Sequence, residues 1–380
     1  EINEEDEREK KTEEKRETKQ KKKMERKKEE QEIEIPVLKL PNPTYGYKNN
    51  VSVFCFSQQG ESHKIKNIPC QDRSAFQFVG KNIVIAAVAD GVGSCTLSDI
   101  GAEEAVNASL NYLEMQLKPL AEKEEIFLET AFMSKMLREM MSYAYDSVQK
   151  KAEELQQIVY TMQSTLTVAV YDGKTLFFAH AGDDGIVALN KSGDYALVTS
   201  RHKGEEASSV YPLQSKMTWQ YGKVDDAVGF VMATDGVLDA FVRPESEKNR
   251  VYYPFIEPIF TAVQKNEEDA KQNGKDWYEY MASKSYRERV TDDLSFIGVV
   301  NQCKIEETIG PEFSIEKWNE ESRKYEKKRI AALYPDRESR RNVDEKKKKS
   351  ESPKSEIIKN NRKKLSVKRE RLWVLVRPKL

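Results

Sequence analysis

Apolar, β-branched runs divided by only a few residues constrain this chain more than any other feature. Ser74–Val79 and Ile83–Ala89 are split by Gly80-Lys81-Asn82, Thr165–Tyr171 and Thr175–Ala181 by Asp172-Gly173-Lys174, and Ile186–Asn190 and Tyr195–Thr199 by Lys191-Ser192-Gly193-Asp194. Gaps so short leave room for a hairpin but not for a crossover helix, so the sheets are largely antiparallel. Val51–Phe56, Val228–Ala233 and Leu294–Val300 are further strand candidates, rich in Val, Ile and Phe and bounded by turn formers. Between the third and fourth strands the sequence predicts two long helices, roughly 98–119 and 124–157. In the second, Leu137, Met141, Ala144 and Val148 fall on one face. Strands, a helix pair and strands again predict an α+β architecture, with sheet layers covered by helices. A doubly wound parallel sheet would need a helix between most strands.

Aspartates mark the ends of these runs. Ile83–Ala89 ends in Asp90-Gly91, Val228–Thr234 ends in Asp235-Gly236, and Asp292-Asp293 precedes Leu294. Gly182-Asp183-Asp184-Gly185 lies between two strands, and Gln71-Asp72 precedes another. A carboxylate at a strand end has its backbone fixed by the ladder while its oxygens face a cleft. Hard divalent cations favour such rigid oxygen ligands, and glycine lets a backbone carbonyl approach as well. Asp172-Gly173 is different, since a hairpin turn explains it fully. Two bare carboxylates at ~4 Å repel by about 4 kcal/mol at an effective dielectric of 20, so a cluster of them implies cations between.

In order along the chain, the sequence shows Ser62-His63, Pro69-Cys70-Gln71-Asp72, Asp90-Gly91-Val92-Gly93, Ser164-Thr165-Leu166-Thr167, Gly182-Asp183-Asp184-Gly185, Lys203-Gly204-Glu205, Ala233-Thr234-Asp235-Gly236-Val237 and Asp292-Asp293-Leu294-Ser295. Each motif is weak alone, but the ordered set across residues 50–300 resembles the metal-dependent serine/threonine protein phosphatases of the protein phosphatase 2C type, in their bacterial branch. The resemblance implies a four-layer α-β-β-α sandwich, with two antiparallel sheets flanked by helix pairs. It implies hydrolysis of phosphoserine or phosphothreonine in proteins, with two Mn²⁺ or Mg²⁺ ions and a third, weaker site. On this pattern Asp90 bridges both metals, Gly91 offers its carbonyl to the second, and Asp235 and Asp292 hold the first. Asp72 acts through a metal-bound water, and Asp183 and Asp239 belong to the third site. Asp72, Asp90, Asp235 and Asp292 are thus the expected catalytic set. Such an ion pair readies a water as nucleophile, so no protein nucleophile is required.

The sequence departs from the family pattern in several places. Gln71 stands where many relatives carry glutamate, no histidine follows Asp90-Gly91, and Asn67 stands at the position nearest the phosphate-holding arginine. Lys66 and Arg73 are the candidate replacements for that arginine, with His63 and Lys64 as weaker ones. Substrate choice is expected to rest on the loop between Arg201 and Lys223 and on residues 241–290. A non-catalytic module of the same fold, binding phosphoproteins or a cognate kinase, is the alternative reading.

The remaining features carry less chemistry. Cys55, Cys70, Cys95 and Cys303 form no CxxC pair and are read as free thiols of a reducing, cytoplasmic protein. A cysteine phosphatase would need a phosphate-cradling loop between Cys and Arg, and Cys70-Gln71-Asp72-Arg73 is too short for one. His180, inside an apolar strand, is expected to be a satisfied core residue, His202 a surface residue, and Trp219 and Trp277 packing residues. With mean hydropathy −0.74, the chain is too polar to read as a membrane protein, and its charged N-terminus is unlike a secretory leader. Residues 1–34 carry 14 acids and 12 bases with almost no apolar residue, and are expected to be a disordered or lone-helical tail. The catalytic domain is expected over 35–310 and a charged helical extension over 311–345. The segment 346–380, with 14 bases against 3 acids, is read as a tail able to contact an acidic surface, nucleic acid or a membrane.

Overall fold

The computed structural model describes residues 35–121, 128–201, 210–243, 250–306, 308 and 313–333. Both expected tails, His202 and the Lys203-Gly204-Glu205 motif lie outside them.

The strands in chain order are β1 (Thr44–Lys48), β2 (Val51–Gln58), β3 (Arg73–Val79), β4 (Ile83–Ala89), β5 (Leu166–Tyr171), β6 (Leu176–Ala181), β7 (Gly185–Asn190), β8 (Tyr195–Leu197), β9 (Gln220–Val224), β10 (Ala227–Ala233), the two-residue pair β11 (Val242–Arg243) and β12 (Arg250–Val251), and β13 (Leu294–Asn301). The principal helices are α1 (Glu61–Lys66), α2 (Ser98–Ala121), α3 (Thr130–Glu154), α4 (Asp235–Phe241), α5 (Glu267–Ala282) and α6 (Ile315–Leu333). One sheet runs β1-β2-β13-β10-β7-β8 and the other β3-β4-β5-β6-β9, and every pairing is antiparallel. The hairpin at Asp172-Gly173 is as the sequence predicts: Asp172 Oδ1 accepts from the Lys174 and Thr175 amides at 2.8 and 2.7 Å, and Gly173 has φ +87°.

Side chains alternate across each strand, so a strand buried on both faces is apolar throughout. In β4, Ile83, Ile85, Ala87 and Ala89 pack into one core with α2 and α3, while Val84, Ala86 and Val88 enter a second core between the sheets. In β13, Ile297 and Val299 join that same inter-sheet core, while Leu294, Phe296 and Val300 face a third. Three apolar layers therefore separate helices, sheet, sheet and helices. Leu137, Met141, Ala144 and Val148 of α3 are all buried, as their spacing predicts.

Two sequence expectations are adjusted. The flank over the six-stranded sheet is not a pair of long helices: α5 covers β1 and β2, and only short helical turns around Ile256–Phe260 and Tyr286 accompany it. The helix expected from residue 124 begins at Thr130. Of the charged extension, α6 is described, and it docks through Trp318 against Tyr252 and Phe313, with Arg250 over the indole ring at 4.1 Å.

Candidate metal centre

Strand ends from both sheets deliver the acids. Asp72 immediately precedes β3, Asp90 follows β4, and Asp183-Asp184 forms the crossing from β6 to β7. Asp235 opens α4 directly after β10, and Asp292-Asp293 leads into β13.

Asp72 is 1% exposed, and its Oδ2 accepts from Thr234 Oγ1 at 2.5 Å. Burial pushes its pKa well above the usual carboxylate range, the charges of Asp293 and Asp235 push the same way, and the Thr234 bond opposes them. Asp90 keeps some solvent access, yet desolvation leads the forces raising its pKa, followed by the charges of Asp72, Asp235, Asp184 and Asp183. Asp184 is fully buried, and desolvation again dominates, with Asp183, Asp72 and Asp235 adding repulsion. One oxygen of Asp184 accepts from Thr165 Oγ1, while Oδ1 has no hydrogen-bond partner. A buried carboxylate oxygen without a partner is costly, and a cation would satisfy it.

Gly91 fits this picture through its backbone. A Cβ there would meet Ser98 Cβ at 2.8 Å and Gln71 Cβ at 2.9 Å, so no larger residue enters without displacing α2 or the Asp72 loop. Its amide donates to the Gln71 carbonyl at 3.1 Å. Thr165 secures its neighbour: the Asp90 amide donates to Thr165 Oγ1 at 2.7 Å, and the Thr165 amide donates to the Asp90 carbonyl at 2.8 Å.

Asp292 is exposed and lies beyond this buried group, with its Oδ1 accepting from the Asp293 amide at 2.9 Å. It lines a cleft of about 430 Å³ together with Asp235, Asp239 and Arg289, against Phe255 and Tyr286. The structure thus brings Asp72, Asp90, Asp183 and Asp235 into one electrostatic cluster, and sets Asp292 and Asp239 around the adjoining cleft with Asp235. Among the described residues, no three His, Cys, Asp or Glu side chains are drawn tightly enough to hold a metal as they stand.

Neither basic candidate lines this cleft. Arg73 is 3% exposed and fully engaged: Nε donates to Glu103 at 2.9 Å, and Nη1 donates to the carbonyls of Cys70 and Asp72 at 2.6 and 2.8 Å. It clamps the loop that carries Asp72. Lys66 is exposed in the last turn of α1 and lines no part of the cleft. His63 is more than a surface residue, because its Nδ1 lies 2.8 Å from Asp293 Oδ2. His180 is the satisfied core residue expected of it, bonded to Thr167 Oγ1 and the Ser200 carbonyl. Trp277 is buried in the core, and the Trp219 indole donates to the Leu213 carbonyl at 2.8 Å.

Sequence reasoning missed three contributors. Asp184 and Asp293 are the second members of Asp-Asp pairs in which attention fell on the first; both members are buried in Asp183-Asp184, whereas Asp293 is buried and Asp292 exposed. Asp293 accepts from the Gly60 and Gln71 amides, both at 2.6 Å, and so joins the β13 entry to the Asp72 loop. Thr234 had no signal beyond its place in Ala-Thr-Asp-Gly.

Residues 59–277 match the family model described as protein phosphatase 2C. The chain belongs to the protein phosphatase 2C family. Among solved structures, the serine/threonine phosphatase Stp1 from Staphylococcus aureus is similar at 14% identity and a TM-score of 0.46, over 70% of this chain and 99% of that one. The S. agalactiae serine/threonine phosphatase is similar at 15% identity and 0.45, over 66% and 99%. The catalytic domain of the serine/threonine protein phosphatase PstP, in complex with two manganese ions, is similar at 15% and 0.43, over 66% and 97%. No curated protein sequence matches the chain. As a protein phosphatase 2C it carries the fold and enzyme class that its motif order implied. Among the described residues no helix is long and apolar enough to cross a membrane.

Proposed function

We propose that this protein phosphatase 2C hydrolyses phosphoserine and phosphothreonine in proteins, using two Mn²⁺ or Mg²⁺ ions and a water nucleophile. Asp90, Asp235, Asp292 and the Gly91 carbonyl would hold the ions, and Asp72 would act through water. The observation that carries this reading is the convergence of Asp72, Asp90, Asp184 and Asp235 from both sheets, with Asp184 Oδ1 buried and unpartnered. Acids so placed need an external positive charge more than they need a proton relay.

Bound there, divalent cations lower the pKa of a water and neutralise charge on the phosphoryl oxygens. The chain's own residues fix the geometry. Thr234 holds Asp72 so that its second oxygen is left to accept from a water. Thr165 locks the backbone of Asp90 and the carboxylate of Asp184 in one step. Asp293 ties the β13 entry to the loop carrying Asp72. Thiols contribute nothing: Cys55 and Cys70 are buried, and burial pushes Cys55 up to about 12 and Cys70 higher still. The catalytic domain spans about residues 35–310, and its substrates are products of serine/threonine kinases.

The test is phosphate release from phosphoserine, phosphothreonine and phosphotyrosine peptides, with Mn²⁺ and with a chelator. Mn²⁺-dependent release from the first two supports the proposal. Binding of phosphopeptides without any release would favour a non-catalytic module instead.

A further inference from the structure

Asp183 and Asp239, the pair that the sequence resemblance gives to a third cation, already hold one. Arg201 lies between them: Nη1 forms an ion pair with Asp239 Oδ1, Nε donates to the Asp183 carbonyl at 2.8 Å, and Nη2 is 4.0 Å from Asp183 Oδ2. Its side chain is only 10% exposed. The mount is rigid. The preceding residue, Ser200, donates its amide to Gln220 Oε1 at 2.9 Å, and its carbonyl accepts from Gln220 Nε2 at 2.8 Å and faces His180 Nε2 at 3.2 Å. Arg201 is thereby anchored to both β6 and β9.

A guanidinium keeps its charge at every pH a folded protein meets, and its forked donors match two carboxylates well. A divalent ion between Asp183 and Asp239 would have to expel a nearly buried cation or sit beside it. The donor set therefore does not fit a third metal.

We infer that Arg201 takes the place of the third cation, so that this phosphatase works with two ions and a built-in positive charge at the third position. The inference rests on the two-ion reading above. It gives Arg201 a positioning role, bracing the β6–β7 crossing against the end of α4.

The test counts Mn²⁺ per chain by equilibrium dialysis with elemental analysis, into the millimolar range, for the full chain and Arg201→Ala. Two ions in the wild type and three in Arg201→Ala, falling back to two in Arg201→Ala/Asp239→Asn, support the inference. Three ions in the wild type overturn it, and so do two in Arg201→Ala. No bound ion in either protein overturns the two-ion reading together with this inference. Circular dichroism establishes that Arg201→Ala is folded. Arg201→Gln, of similar length and neutral, replaces it if it is not, with the same count of three expected.

Discussion

Thr234 joins the two sheets at the acids: its hydroxyl donates to Asp72 Oδ2 at 2.5 Å, and the Ser295 amide donates to that hydroxyl at 2.8 Å. Thr234 is fully buried, so Thr234→Val keeps its shape and removes both bonds. Loss of a partner that orients a ligand typically costs 10–100-fold in metal affinity or activity. The orphaned Ser295 amide adds about 1–3 kcal/mol of destabilisation. Mn²⁺ titration of hydrolysis should show the weakened affinity, and denaturant unfolding the lost stability. Unchanged Mn²⁺ dependence would remove Thr234 from this role.

Asp293 is the hub behind the site, accepting from Gly60, Gln71 and His63 while 3% exposed. In Asp293→Asn, one oxygen becomes a donor facing another donor. Such a buried mismatch costs about 2 kcal/mol. Urea unfolding should register that loss in the metal-free protein as well, because Asp293 acts on the loops and not through the ions.

Stripping the ions should make stability depend on pH in an unusual direction. Asp72, Asp90 and Asp184 have folded pKa values raised well above the unfolded one by burial first and mutual repulsion second. The folded state then binds more protons than the unfolded state, so stability falls as pH rises from about 4 through the raised values. The metal-free protein should melt at a lower temperature at neutral pH than in mild acid. Added Mn²⁺ should raise the melting temperature most at neutral pH. A metal-free melting temperature that rises toward neutrality would contradict the cluster.

Trp318 is the anchor of the helical extension, packed at a tilt against Tyr252 and Phe313 and reinforced by the Arg250–Glu321 ion pair at 2.6 Å. Trp318→Ala removes a buried aromatic worth about 3 kcal/mol. Limited proteolysis should then cut within α6 much sooner, while hydrolysis stays within about twofold, since no residue of the cleft is touched. An unchanged digestion pattern would show that the helix is held by other contacts.

The long apolar strands and both long helices were legible because strands buried on two faces are continuously apolar, as in Ile83–Ala89, and because α3 keeps a strict helical face. The strands β1 and β9 were not legible. Each is a half-buried edge strand with a glycine in its middle, which weakens the pattern. Their glycines have a packing reason that only the structure reveals: a Cβ on Gly46 would meet Phe78 at 2.6 Å, and one on Gly222 would meet Phe178 at 2.3 Å. Aromatic rings from other strands cover them. The site acids were legible as strand-end aspartates, but the burial of Asp184 and Asp293 was not, so neither was given a role. Arg73 illustrates the converse. The sequence offers it as a replacement for the missing phosphate-holding arginine, whereas its reach to Glu103 depends on where α2 packs.

The most direct test is anomalous X-ray scattering from Mn²⁺-soaked crystals of the full chain. The account predicts two peaks roughly 3.5–4 Å apart, both beside Asp90, one shared with Asp235 and Asp292 and the other next to the Gly91 carbonyl and Asp72. Peaks elsewhere, or none at Asp90 under conditions that saturate hydrolysis, would contradict it.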